Sequence, residues 1–289
     1  MEASQQLDKS TSFLGKTIFS SKRIVHSLVF CLATTTLPWV EASADGEEHR
    51  EIVWVDLAEG LKKSSAWIVN PLTSIKSEVV LLLIDPEKYQ FEVSDARQQR
   101  RKRKSVKLLV QARDAAGGIN ANFFGTEDEP LGLVLSGGKA SNALQEGGSL
   151  LTGVFQLKKN KASIVHRDKF SSKGVELGLQ SGPRIIENSK ILSFKKSNGS
   201  SRRSGIAITE TGQVLLFATR YRFPGARLED IGNILLRSGL GIKDALNFDG
   251  GGSSQLYLSS EASAGKVAEI NISGGDSVPI ALTFKKRSK

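Results

Sequence analysis

The chain has 289 residues, 28 glycines, few aromatics and one cysteine, which fits one large domain or two small ones rich in strands and loops and excludes a disulfide framework or a thiolate metal site. Its formal charge of +10 raises nucleic-acid binding. However, seven basic residues fall in one run (Arg97, Arg100, Arg101, Lys102, Arg103, Lys104, Lys107) and four in the tail (Lys285, Lys286, Arg287, Lys289), so what remains after the leader is slightly acidic and unlike a basic face interleaved with aromatics.

Residues 1–44 read as a secretory signal with a long polar leader. Lys16, Lys22 and Arg23 precede an apolar stretch over 27–40, and Ala42, Ser43 and Ala44 follow as a small-residue cleavage pattern. Cleavage is expected after Ala44, leaving a secreted or periplasmic domain over 45–289. The stretch is interrupted by Thr34, Thr35, Thr36 and Pro38 and is shorter than the ~20 residues a spanning helix needs. Bulky Phe30 before Cys31 argues against a lipoprotein site, and no later run reaches membrane length, so no membrane span is expected.

From Ile52 the pattern is mostly of short β-like segments. Residues 52–55 and 66–69 are brief, 79–84 is a continuous apolar run that reads as a buried strand, and 89–93 alternates and is expected to pair with it across Asp85 and Pro86. The basic run reads as a solvated loop or as an electrostatic lure for an anionic polymer or membrane surface. Residues 105–116 follow as a helix, with Val106, Leu109 and Val110 on one face and Gly117 and Gly118 ending it. Further strands are expected over 131–135, 151–157, 162–165 and 184–186, with a loop over 193–204. Residues 205–209 and 214–218 flank Thr211 and Gly212 as a hairpin. A second helix over 227–238 has Leu228, Ile231, Leu235 and Leu236 on one face and Glu229 and Asp230 in its first turn. Strands over 244–248 and 278–284 complete the chain. No repeat or linker divides residues 45–289, so the expected fold class is α+β, a single strand-rich domain with a few helices.

The densest chemistry lies in ALNFDGGGSSQLYL, residues 245–258. An apolar run halts at Asp249, Gly250, Gly251, Gly252, Ser253 and Ser254 and then resumes. Three glycines remove every Cβ, so the segment reads as a strand–loop–strand whose N–H groups form an anion nest with one carboxylate at its lip.

Four clusters, NANFF at 120–124, SGPRII at 181–186, RRSGIAIT at 202–209 and ALNFDGGGSS at 245–254, appear in an order and wording that resemble the phosphodiester glycosidase family. The resemblance runs over about 78–284. It implies a secreted α+β hydrolase that cleaves the glycosidic bond of a sugar 1-phosphodiester in a glycan or cell-envelope polymer. Under that resemblance, the glycine loop and Arg203 seat the phosphate, since a guanidinium pairs bidentately with phosphate oxygens. Alternatively, Arg203, like Arg202 beside it, is a surface arginine of a basic loop.

Asp249 is the leading catalytic carboxylate, as nucleophile, electrostatic partner of a developing cation, water-activating base or ligand of Ca²⁺ or Mg²⁺. Alternatively, it serves only to bond its own loop. Asn120, Asn122 and Asn247 would read sugar hydroxyls or else satisfy loop backbone groups. Phe123 and Phe124 read as core or pocket wall. A second carboxylate is sought among Glu127, Asp128, Glu129, Glu146 and Asp276. Ser277 stands where many relatives carry an arginine. His26, His49 and His166 are isolated, so no zinc site is expected. Two other readings remain: a non-catalytic protein that binds a phosphorylated exopolysaccharide during its assembly or export, and a basic protein that binds nucleic acid or anionic lipid. The sequence carries no signal for oligomeric state.

Overall fold

A computed structural model of the chain describes residues 51–69, 74–99, 102–194, 199–221 and 225–288. The expected signal segment and its cleavage point, Cys31, Arg100, Arg101 and Lys289 lie outside these residues. In chain order the elements are β1 (Val55–Ala58), β2 (Leu61–Val69), β3 (Lys76–Ile84), β4 (Tyr89–Asp95), α1 (Val106–Gln111), β5 (Gly117–Asn120), β6 (Val134–Ser136), β7 (Lys139–Asn142), β8 (Gly153–Lys158) and β9 (Lys161–His166). They continue with β10 (Leu177–Ser181), β11 (Arg184–Glu187), β12 (Lys190–Ile191), β13 (Ser204–Thr209), β14 (Val214–Thr219), α2 (Leu228–Leu236), β15 (Ile242–Asn247), β16 (Leu256–Leu258), β17 (Ile270–Ile272) and β18 (Ile280–Lys286). Among the described residues the α-helices have only six and nine residues, so the architecture is strand-rich and mostly β.

The strands form three antiparallel sheets. An eight-stranded sheet runs β1-β2-β3-β14-β13-β15-β11-β12, a five-stranded sheet β7-β6-β10-β8-β9, and a second five-stranded sheet β17-β16-β5-β18-β4. Their inner faces share one core that includes Leu82, Phe91, Ile119, Phe155, Leu179, Ile206, Leu246 and Phe284. The outer face of the large sheet is covered by α2, whose Leu228, Ile231 and Leu235 pack with Val79, Leu81, Leu215 and Phe217. Both faces of β3 are therefore buried, which explains its uninterrupted apolar sequence. Helix α1 covers the third sheet through Val106, Leu109 and Val110 against Tyr257 and Ala281.

Two local expectations are corrected. β4 does not pair with β3, whose neighbours are β2 and β14; it pairs with β18. The turn at Asp85, where the N–H groups of Lys88 and Tyr89 bond the Asp85 carbonyl at 3.1 and 2.9 Å, sends the chain across to another sheet. Helix α1 stops at Gln111, because Ala112 closes it and Asp114 takes a left-handed φ of 48°. Gly117 and Gly118 belong to β5. A Cβ on Gly118 would lie 2.8 Å from both the Leu282 carbonyl and Val110 Cγ2, so the glycine lets the helix lie close on the sheet.

β13 lies between β14 and β15, and β11 flanks β15 on its other side. The start of β13, the end of β15 and the start of β11 therefore fall together, with Gly205 opposite Asn247 and Arg184 opposite Leu246. The end of β5 reaches the same point from the third sheet, where Ala121 O accepts the Asp249 N–H at 3.0 Å.

Candidate active site

Asp249 is the first residue past β15, and its main chain is held from two sides. Its carbonyl accepts from Asn120 Nδ2 at 2.7 Å and from Ser204 Oγ at 3.0 Å. Its half-buried carboxylate accepts from the Ser253 hydroxyl and the Gly250 N–H. Burial pushes its pKa up to about 6, the Asp276 charge acts in the same direction, and the two hydrogen bonds pull it partly back.

The glycine loop is not an open nest. Gly251 N–H donates to Arg202 O at 2.9 Å, Ser253 N–H to Gly250 O at 3.1 Å and Ser254 N–H to Gly251 O at 3.4 Å. The glycines serve close approach instead. A Cβ on Gly250 would sit 2.9 Å from Arg202 O, one on Gly252 would collide with the Asp276 carboxylate, and Gly251 has a φ of 59°. Gly252 O in turn accepts from the N–H groups of Gly275 and Asp276. Ser253 and Ser254 are buried, and neither lines the cavity described below.

Asn120 and Asn122 are also inside the framework. Besides holding Asp249, Asn120 accepts the Gln255 N–H on Oδ1 at 3.0 Å, so it ties β5 to both ends of the glycine segment. Asn122 Nδ2 faces the carbonyls of Leu131, Leu133 and Gln180. Replacing Asn120 with alanine leaves buried backbone groups short of a partner, and urea unfolding is expected to show a loss of about 2 kcal/mol. Asn247 differs. Its Nδ2 bonds Gly182 O and Phe248 O, and its buried Oδ1 has no partner among the described residues.

The cavity, of about 700 Å³, is lined by Asp249, Asn247, Gly250, Gly251, Arg203 and Ser201 together with apolar and polar residues of the surrounding loops. Arg203 Nε donates to Ala226 O at 3.0 Å and Nη2 to Gly199 O at 2.7 Å, which fixes the guanidinium in the wall of the cavity that Asp249 also lines. Burial lowers its pKa and Glu229 partly offsets this, but a guanidinium stays charged. Arg202, expected at the surface, is the more buried of the two, and its Nη2 bonds Ser254 O at 2.7 Å.

Phe123 lines the cavity, whereas Phe124 lies under the Arg103 guanidinium at 5.3 Å. His166, at the end of β9, also lines it, with Nδ1 accepting the Asp168 N–H at 3.3 Å. As an isolated histidine its sequence gave no signal; only the β8–β9 hairpin brings it here. Of the five sought carboxylates, Asp276 lies close enough to bear on Asp249, while Asp128 pairs with Arg103 at 2.8 Å and Glu146 is exposed. Among the described residues no three His, Cys, Asp or Glu side chains cluster to hold a metal ion. No described helix is long and apolar enough to cross a membrane. The basic run is partly neutralised at the surface, with Arg97 on Asp95, Lys102 near Glu127 and Lys107 on Glu269.

A carboxylate with a raised pKa and a fixed guanidinium lining one cavity are features of a candidate active site. The chain belongs to the phosphodiester glycosidase family, whose model matches residues 113–284. Among solved structures it is similar to the catalytic domain of zebrafish N-acetylglucosamine-1-phosphodiester alpha-N-acetylglucosaminidase auto-inhibited by its pro-peptide (TM-score 0.62, 13% identity, 82% of this chain and 87% of that one). It is also similar to a hypothetical protein from Synechocystis (TM-score 0.57, 17% identity), matching 82% of this chain but only 64% of that one. A candidate exported protein of Burkholderia pseudomallei matches with a TM-score of 0.52 and 12% identity, over 74% of this chain and 75% of that one. No curated protein matches the chain in sequence. At these identities the structural likeness concerns the fold.

Proposed function

We propose that the protein is a secreted or periplasmic hydrolase that cleaves the glycosidic bond of a sugar 1-phosphodiester in a glycan or cell-envelope polymer. The observation that carries this reading is the convergence of Asp249, Arg203 and Asn247, up to 46 positions apart in sequence, on one cavity. The leader pattern and the exported Burkholderia neighbour support the location.

In the proposed reaction the bond from the anomeric carbon to the bridging oxygen breaks, and its electron pair leaves with the phosphate. Water supplies the hydroxyl of the free sugar, and its remaining proton goes to a base or to solvent. A phosphate monoester leaves readily, so the reaction asks little of a general acid. It asks for a negative charge opposite the oxocarbenium-like centre and a cation at the phosphate. Asp249 takes the first role and Arg203 the second, with Asn247 in the same cavity wall.

Asp249 must then be ionised, so kcat/KM is expected to rise with pH through a limb near 6. Asp276→Asn removes the like charge and is expected to move that limb to lower pH; a limb that falls through the same region would make Asp249 an acid instead. The reading is tested by incubating the purified chain with a panel of sugar 1-phosphodiesters, with and without Ca²⁺ or Mg²⁺, and measuring free sugar. Release of sugar supports it. Binding without release would favour a phosphorylated-exopolysaccharide binder.

A further inference from the structure

We infer that the alcohol esterified to the substrate phosphate is apolar, an alkyl or prenyl chain, and that Leu150, Pro183, Leu192 and Phe194 form its seat. This rests on the phosphodiester reading above and names the half of the substrate which that reading leaves open. Arg203 and Asp249 stand at the ends of β13 and β15, while these four come from loops around them, where Ser149, Thr152 and Ser193 also line the cavity. Three are aliphatic, with no hydrogen-bonding group for a sugar hydroxyl and no ring face for sugar stacking.

Leu150 is the decisive residue. It is 46% exposed, yet it does not sit on a slack loop. The Arg167 guanidinium, itself largely buried, donates from Nη1 to Gly147 O and to Leu151 O, and from Nη2 to Gly148 O at 2.7 Å. The Thr152 N–H donates to Leu150 O at 2.9 Å, and Gly182 packs so tightly on that carbonyl that a Cβ would overlap it. Ordering a loop costs about 1–2 kcal/mol per residue. Here it is ordered around a leucine that stays uncovered at the cavity.

Apolar surface also adjoins the guanidinium that would hold the phosphate. Arg203 is bonded to Ala226 O, and Leu228, two residues on, packs in the same apolar cluster as Phe194. A diester anchored at Arg203 and Asp249 therefore extends its second ester arm along apolar walls. A cavity of about 700 Å³ leaves room for such an arm beside a sugar.

The test is a matched series of one sugar carrying methyl, butyl, hexyl or glycosyl phosphodiesters, hydrolysed by the full chain. Each seated methylene is worth up to about fourfold. With incomplete burial, kcat/KM is expected to rise about thirtyfold from methyl to hexyl and to exceed the value for the glycosyl ester. Leu150→Ser, at an exposed position, is expected to flatten that rise, and the unfolding midpoint checks that the variant is folded. A flat series with measurable hydrolysis, a preference for the glycosyl ester, or a rise that Leu150→Ser leaves untouched would overturn the inference alone. Hydrolysis of no member would overturn it together with the reading beneath it.

Discussion

Asp249→Asn is expected to lower turnover about a thousandfold and, at pH 7, to make the protein harder to unfold. The two effects have one origin. The carboxylate is held in a half-buried position where burial and the Asp276 charge raise its pKa from 3.8 to about 6, and ionising it in the folded state therefore opposes folding. A raised carboxylate pKa makes a stability contribution that is fully present below the unfolded value and lost as pH rises through the folded one. Relative to asparagine, the wild type should thus lose stability between about pH 4 and pH 6 and then stay level, by about 3 kcal/mol for a shift of about two units. Asparagine keeps an acceptor for Ser253 and Gly250, so the loop should hold. Unfolding in urea at a series of pH values, together with kcat on a sugar 1-phosphodiester, checks both halves. A variant as stable as wild type at every pH would show that Asp249 carries no such burden.

Gly205→Ala is expected to cost about 3 kcal/mol, at the upper end for overpacking in a core, and to cut activity in whatever protein folds. Gly205 sits opposite Phe217 on β14 and Asn247 on β15. A Cβ there would overlap the Leu246 carbonyl and the Phe217 ring, which is fully buried. Neither can step aside, because one is the backbone of a neighbouring strand and the other is locked in the core beneath α2. The displaced strand is the one that begins just after Arg203, so the strain falls on the spacing between that guanidinium and Asn247. A thermal melt compared with wild type, and KM for the diester, would read the two consequences separately.

Much of this framework is legible locally. The β13–β14 hairpin follows from Thr211 and Gly212, and α2 from its apolar face and acidic first turn, because both are decided by neighbouring residues. The partner of β4 is not local. Nothing in residues 79–93 tells that both sides of β3 are taken by β2 and β14. The same limit applies to the site. An asparagine at a strand end has the same sequence whether its amide reads a sugar or a backbone; Asn120 is seen to hold Asp249 only once Gln255 and the glycine loop are folded against it.

Three glycines in a row suggest exposed N–H groups, but these glycines make room for Arg202 O and Asp276. His166 and Leu150 carry no motif, and they reach the cavity through the second sheet and the Arg167 clamp. Of Asn120, Arg203 and Asp249, which the motifs mark, Arg203 and Asp249 line one cavity, while Asn120 bonds the Asp249 carbonyl from outside that lining.

The most direct test is hydrolysis of a sugar 1-phosphodiester by the purified chain in water labelled with heavy oxygen, followed by mass measurement of both products. Cleavage at the anomeric carbon, directed by Asp249, predicts the label in the free sugar and none in the phosphate monoester. Label in the phosphate, or no products at all, would contradict it.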